Sequence, residues 1–154
     1  KEDAMIEAIF VAKKSKQELQ RVNDVQVVFG SGITGDRYFN KAKRPGQNIT
    51  FIESEAIEAY NTSRNQSILL GETRRNIITK GVDLNALVGV EFSIGNAMFR
   101  GVELCEPCRV LGQLLENASL SKTAVIKAFL TSGGLRADVI GSGIVKVGMP
   151  IKQS

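Results

Sequence analysis

The chain has 154 residues, a mass of 16.7 kDa and 43% hydrophobic residues, enough for one ordinary globular domain with a core and too short for two generous ones. Its 23% charged residues exclude disorder as a description of the whole, and no apolar run approaches the roughly 20 residues of a bilayer span. Histidine is absent, which removes Ser-His-Asp and Cys-His hydrolases, His-ligated zinc enzymes and His-ligated haem proteins.

The net charge of +4 is small and sits towards the N-terminal third: residues 1–48 carry nine Lys or Arg against six Asp or Glu, and residues 49–154 carry eleven against ten. Two clusters without interleaved acid, Lys13, Lys14 and Lys16, then Lys41, Lys43 and Arg44, can meet a phosphate-bearing ligand or simply line solvated loops. With 6% aromatics and no Trp there is little material for stacking bases, so no nucleic-acid partner is expected. The N-terminus has neither a secretory apolar region nor the Arg-rich, acid-poor pattern of a transit peptide, and Lys1 in place of Met is consistent with a preceding or processed segment. A cytoplasmic protein with both cysteines reduced is the expectation.

In chain order, short apolar runs bounded by turn residues predict strands over 5–12, 25–29, 48–53, 75–80, 90–94, 97–104, 135–140 and 143–147. Helices are predicted over 53–61, with Ala56, Ile57 and Tyr60 on one face, and over 119–130, capped by Ser119 or Ser121 and stopped by Gly133-Gly134. A shorter helical turn after Cys108 would face Leu111, Leu114 and Leu115 inward. The pattern describes one domain over 1–154, mostly β, with two or three short helices at the ends of a closed barrel. Fifteen glycines suit the corners of such a sheet.

Three segments carry candidate chemistry. Leu104-Cys105-Glu106-Pro107-Cys108-Arg109 holds a C-x-x-C pair, but no further Cys or His exists to complete a zinc site within one chain. The alternative is two small buried hydrophobes at a strand end. Arg109 and a following helix both favour a thiolate at Cys108, whereas Cys105 reads as the packing residue. Arg74-Arg75-Asn76 opens a strand and offers guanidinium forks to phosphate or carboxylate, the alternative being one arginine in solvent and one lying over apolar surface. The Gly30-Ser31-Gly32-Ile33-Thr34-Gly35-Asp36-Arg37 stretch is not a nucleotide-binding P-loop motif, and a tight turn placing Asp36 is its plainest reading.

With these segments in hand, the chain resembles a MOSC domain, the module also found at the C-terminus of molybdenum cofactor sulfurases. The matching pieces run from Gly35-Asp36-Arg37 through Gln47-Asn48-Ile49-Thr50-Phe51-Ile52-Glu53-Ser54-Glu55-Ala56 and Arg74-Arg75-Asn76-Ile77-Ile78-Thr79-Lys80-Gly81-Val82-Asp83-Leu84. Leu87-Val88-Gly89, Phe92-Ser93-Ile94-Gly95, Leu104-Cys105-Glu106-Pro107-Cys108, Gly134-Leu135-Arg136-Ala137 and Ile144-Val145-Lys146-Val147-Gly148 complete the order.

The resemblance implies a closed β-barrel-like domain and puts the family's functional cysteine on Cys108, as catalytic residue and molybdenum ligand or as a persulfide carrier. It implies that Arg75, Asn76 and Arg136 hold the anionic pterin phosphate of molybdenum cofactor and that Asp36 orients a donor group near the metal. Cofactor-bearing members reduce N-hydroxylated compounds; a sulfur-donor desulfurase or a redox protein is the implied partner. The length is similar to that of small stand-alone bacterial members. Tyr38 stands where many relatives carry His, and the N-terminal β-barrel domain of larger members is not within these residues, which weakens the reductase expectation. Pyridoxal phosphate belongs to the sulfurases' other domain, and no lysine here marks a site for it. Two further readings stay open: a non-catalytic sulfur carrier, and a structural domain with an inert, buried Cys108.

Overall fold

The computed structural model describes residues 4–105 and 109–153. Among these residues eleven strands are present: β1 (Met5–Val11), β2 (Gln20–Val22), β3 (Asp24–Val28), β4 (Gly32–Ile33), β5 (Ile49–Glu53), β6 (Ile77–Lys80), β7 (Glu91–Ile94), β8 (Ala97–Leu104), β9 (Leu135–Gly141), β10 (Gly143–Lys146) and β11 (Ile151–Gln153). The helices are α1 (Ser54–Arg64), α2 (Arg109–Leu115) and α3 (Lys122–Ala128), with a single 3-10 turn at Leu84–Leu87. Eight strands make one sheet in the order β11-β7-β8-β9-β5-β6-β1-β2, and β10-β3-β4 make a second. All pairings between these strands are antiparallel except β5 with β6, which α1 and the loop after it connect as a parallel pair.

The three strands β1, β5 and β6 read as near-continuous apolar runs because both their faces are covered. Ile6, Ile9, Ile49, Phe51 and Ile77 point into an inner core with the β3 and β10 valines Val25, Val27 and Val145. At its centre Phe51, Phe92 and Phe99 meet at ring-centroid distances of 5.4 to 5.7 Å, two contacts edge-on and one stacked. Ala8, Phe10, Ile52 and Ile78 point the other way, against Ile57 and Tyr60 of α1, Leu111 and Leu115 of α2, and Val125 of α3 with Phe129 just beyond it. The site described below lies where these helices meet β1, β5 and β6.

Each of the eight predicted strands is found, shifted by no more than two residues at an end. The three that sequence reading missed, β2, β4 and β11, have three, two and three residues, too few to show a period. The expected closed barrel is corrected: among the described residues no sheet closes on itself. The first strand does approach the far end, with Ile6 N donating to the Met149 carbonyl at 3.0 Å and Ile151 N to that of Ala4 at 3.1 Å. Only an isolated bridge at Met5–Pro150 results, because Pro150 has no N–H to continue a ladder and β2 and β11 are short.

Two helix details differ from expectation for local reasons. Ser121, not Ser119, caps α3, its hydroxyl accepting from Ala124 N at 3.2 Å, while Ser119 is taken up in a turn with the Asn117 carboxamide. Leu111 and Leu115, four apart, share the buried face of α2, and Leu114, expected inward, is 46% exposed.

Gly134, just before β9, has φ +112°, and a Cβ on it would lie 2.2 Å from the Phe51 carbonyl oxygen. Its own carbonyl accepts from Cys105 N at 2.7 Å, joining the end of β8 to the site. Gly134→Ala therefore combines a left-handed φ with a backbone collision, and a urea melt is expected to show a loss of about 2–4 kcal/mol.

Candidate functional site: an arginine-lined cleft

The glycine-rich segment is a turn that buries an acid. Asp36 is 6% exposed, and its carboxylate accepts from Ala12 N at 3.1 Å and Tyr38 N at 3.4 Å while pairing with Arg37 at 3.2 Å. The Arg37 side chain is 5% exposed; it donates to the Arg74 carbonyl at 3.2 Å and lies 4.5 Å from the Tyr38 ring centroid. Asp36 is thus engaged in placing Arg37 and Tyr38 and is not among the residues lining the cleft.

Arg74 follows in the left-handed region at φ +61°, a conformation that costs a non-glycine residue energy. Its guanidinium donates to the Gln17 carbonyl at 2.8 Å; burial, and next the neighbouring Arg37 charge, pull its pKa below the ordinary arginine value. Arg75 donates to the Gly133 carbonyl at 2.9 Å. Asn76 is 1% exposed: its side-chain oxygen accepts from Thr50 N and the Thr50 hydroxyl, both at 3.2 Å, and its amide donates to the Phe10 carbonyl at 3.2 Å. With its own backbone N–H bonded to the Thr50 hydroxyl at 3.0 Å, Asn76 ties β1, β5 and β6 together beneath the site.

Arg75 and Arg136 are brought together, Arg74 of the same candidate segment stands with them, and Arg37, to which sequence reading gave no role, joins them. A cavity of about 120 Å³ is lined by Arg37, Arg74, Arg75 and Arg136, by Thr50 and Thr73, and by Val110, Leu111 and Leu114 of α2. Thr73 is 1% exposed, and its hydroxyl has no hydrogen-bond partner among the described residues. A second cavity of about 390 Å³ shares Tyr38, Thr50 and Arg136 with the first and adds Lys41, Lys43 and Arg44. The carboxylate of Glu103 answers two of these cations, Arg44 at 3.2 Å and Arg136 at 3.6 Å, but it is exposed and shared, so it neutralises them weakly. The resulting cleft is positive and offers guanidinium forks and hydroxyls, the donor set that binds phosphate or another oxyanion.

Cys108, Pro107 and Glu106 lie outside the described residues. Cys105 is 2% exposed, as expected of a packing residue. Among the described residues no group of three or more Cys, His, Asp or Glu is placed to hold a metal ion. None of their helices is long and apolar enough to cross a membrane. Thr73 and Arg37 escaped sequence reading; the only local signal was their adjacency to Arg74 and Asp36.

Fold and cleft together define a mostly β domain with an arginine-lined cleft walled by a short helix. The chain belongs to the MOSC domain family, whose profile matches residues 28–152. Solved structures that share the fold include the YuaD protein from Bacillus subtilis, at TM-score 0.85 and 20% identity over 97% of this chain and 94% of that one, and two YiiM proteins. The YiiM from Geobacillus stearothermophilus matches at TM-score 0.76 and 17% identity, covering 98% of this chain and 75% of its own. That from Escherichia coli matches at 0.70 and 15%, covering 97% and 69%. A search of curated proteins finds no match.

Two substitutions separate building the cleft from using it. Asn76→Ala leaves Thr50 and Phe10 groups unpaired in the interior and is expected to lower stability by about 2–4 kcal/mol in a denaturant melt. Thr73→Val removes an unpartnered buried hydroxyl without changing side-chain shape, so stability should hold or rise by about 1 kcal/mol. Affinity for inorganic phosphate, measured by calorimetry, should fall in the same variant.

Proposed function

We propose that this is a molybdenum-cofactor-associated MOSC protein in which Cys108 supplies a thiolate, either to molybdenum or to a transferable sulfane sulfur held as a persulfide. The observation that carries the reading is the arginine cleft. Four arginines and Thr73 line one small cavity, and its apolar wall is α2, the helix that begins one residue after Cys108. That donor set fits an anionic pterin phosphate: Arg75 and Arg136 are the residues to hold it, with Arg37 and Arg74 alongside. Asn76 and Asp36 serve from beneath, Asn76 by fixing the strands and Asp36 by fixing Arg37 and Tyr38.

A bound molybdenum centre would supply two-electron redox chemistry, for which reduction of an N-hydroxylated compound is the fitting reaction and an external electron donor the required partner. A thiolate is soft enough for molybdenum and nucleophilic enough to take sulfur from a desulfurase persulfide, so Cys108 serves both versions. The net positive cleft assists either by favouring anions.

The deciding experiment is metal analysis of protein purified from cells that make molybdenum cofactor, with Cys108→Ala beside it. Molybdenum approaching one per chain, lost in the variant, is the result expected of a cofactor-bearing protein. No molybdenum in either, where a control molybdoenzyme loads fully, overturns the stable-cofactor version. A persulfide found on Cys108 under those conditions would establish the sulfur-carrier version instead.

A further inference from the structure

A third depression, of about 550 Å³, adjoins the arginine pocket and shares Arg74 and Leu114 with it. Its surface is mainly apolar: the edge of Phe10 and the side chains of Leu19, Leu69, Leu70 and Leu114. Leu69 is 74% exposed and Leu114 46%, so two large apolar side chains face this depression without protein covering them. Hydrophobic surface gathered in one concavity and continuous with a polar site is the usual form of a small-molecule subsite.

The wall carrying Leu69 is held in place. Gly71 lies so close over Phe10 that a Cβ would come within 2.8 Å of the ring, allowing the loop to lie flat on it. Glu72 N donates to the Leu69 carbonyl at 3.1 Å, the Glu72 carboxylate accepts from Leu69 N, and Arg74 N donates to the Gly71 carbonyl at 3.1 Å. The left-handed Arg74 then sends its guanidinium across to Gln17 at the boundary between depression and pocket. Of the charges around the rim, Glu72 is occupied by the loop and Arg21 lies over the Phe10 ring at 5.8 Å, while Glu18 is exposed. The cation at the junction, Arg74, faces the arginine pocket as well.

We propose that this depression takes the apolar body of a small organic anion, a ring or short chain lying on Phe10, Leu69 and Leu114 with its anionic head at Arg74. The proposal deepens the preceding reading and rests on it only for the head, which uses the arginine pocket. It distinguishes ligands by what they carry beyond the anion: an inorganic oxyanion fills one end of the site, and an aryl or alkyl anion fills both.

The test is calorimetric titration of the full chain with inorganic phosphate and with phenyl phosphate, repeated on Leu69→Gln and on Leu69→Gln/Leu114→Gln. Both leucines are exposed, so the folded state should survive, which a thermal melt checks. The expected result is that phenyl phosphate binds about tenfold or more tightly than phosphate. That advantage should shrink in Leu69→Gln, with phosphate affinity unchanged, and vanish in the double variant. Equal affinities for the two ligands, or an advantage that survives the double variant, would overturn the apolar subsite while leaving the anion pocket standing. Phosphate failing to bind while phenyl phosphate binds in a leucine-dependent manner would instead sink the anion pocket and support the subsite. Binding of neither would overturn both.

Discussion

A single buried carboxamide holds the working end of this domain together. Asn76 sits at the start of β6, accepts from Thr50 on β5 and donates to Phe10 on β1, and Phe10 N returns a bond to its carbonyl at 2.7 Å. Inside a protein such a network is strong when complete and costly when broken, because each orphaned group has lost its water. The three strands it joins are those buried on both faces. The amide fixes their relative position, and with it the end points of the two loops that carry Arg37 and Arg74, which run into β5 and β6.

From that fixed base the cleft gathers like charges at close quarters, and the fold stabilises them with groups that do not cancel them. Arg74 and Arg75 are bonded to backbone carbonyls of Gln17 and Gly133, dipoles that orient a guanidinium while leaving its charge in place. Among the described residues only Arg37 has a buried carboxylate partner, and Asp36 divides that carboxylate with Ala12 and Tyr38. The unpartnered Thr73 hydroxyl belongs to the same economy of unmet polar capacity. A ligand with several acceptor oxygens would complete what the protein leaves open, which is the physical ground for the proposal that the cleft takes an anion.

Much of this was legible in local sequence. Strands such as β5, β8 and β9 announced themselves because each is long enough to show alternation or an unbroken apolar run, and the acidic start of α1 follows directly on β5. Arg75 and Arg136 were readable as cleft residues through the ordered segments that the chain shares with its family. Asn76 was readable as important but not in its role: the same residue type suits a ligand contact or a buried strap, and only its 1% exposure and its partners on two other strands decide for the strap. Asp36 is the parallel case, a turn acid whose partner Ala12 lies 24 positions away.

By itself the sequence determined the β-rich class, the family, the absence of every histidine-based chemistry and the segments from which a site would be built, since all of these rest on composition or on patterns a few residues long. Tertiary structure alone decided that the sheet stays open at Pro150, that Leu114 faces outward, and that Arg37 and Thr73 stand with Arg74, Arg75 and Arg136 around one cavity. These outcomes depend on contacts between residues dozens to a hundred positions apart, on which groups lose their water, and on which loops the buried amide brings side by side. No window along the chain contains that information.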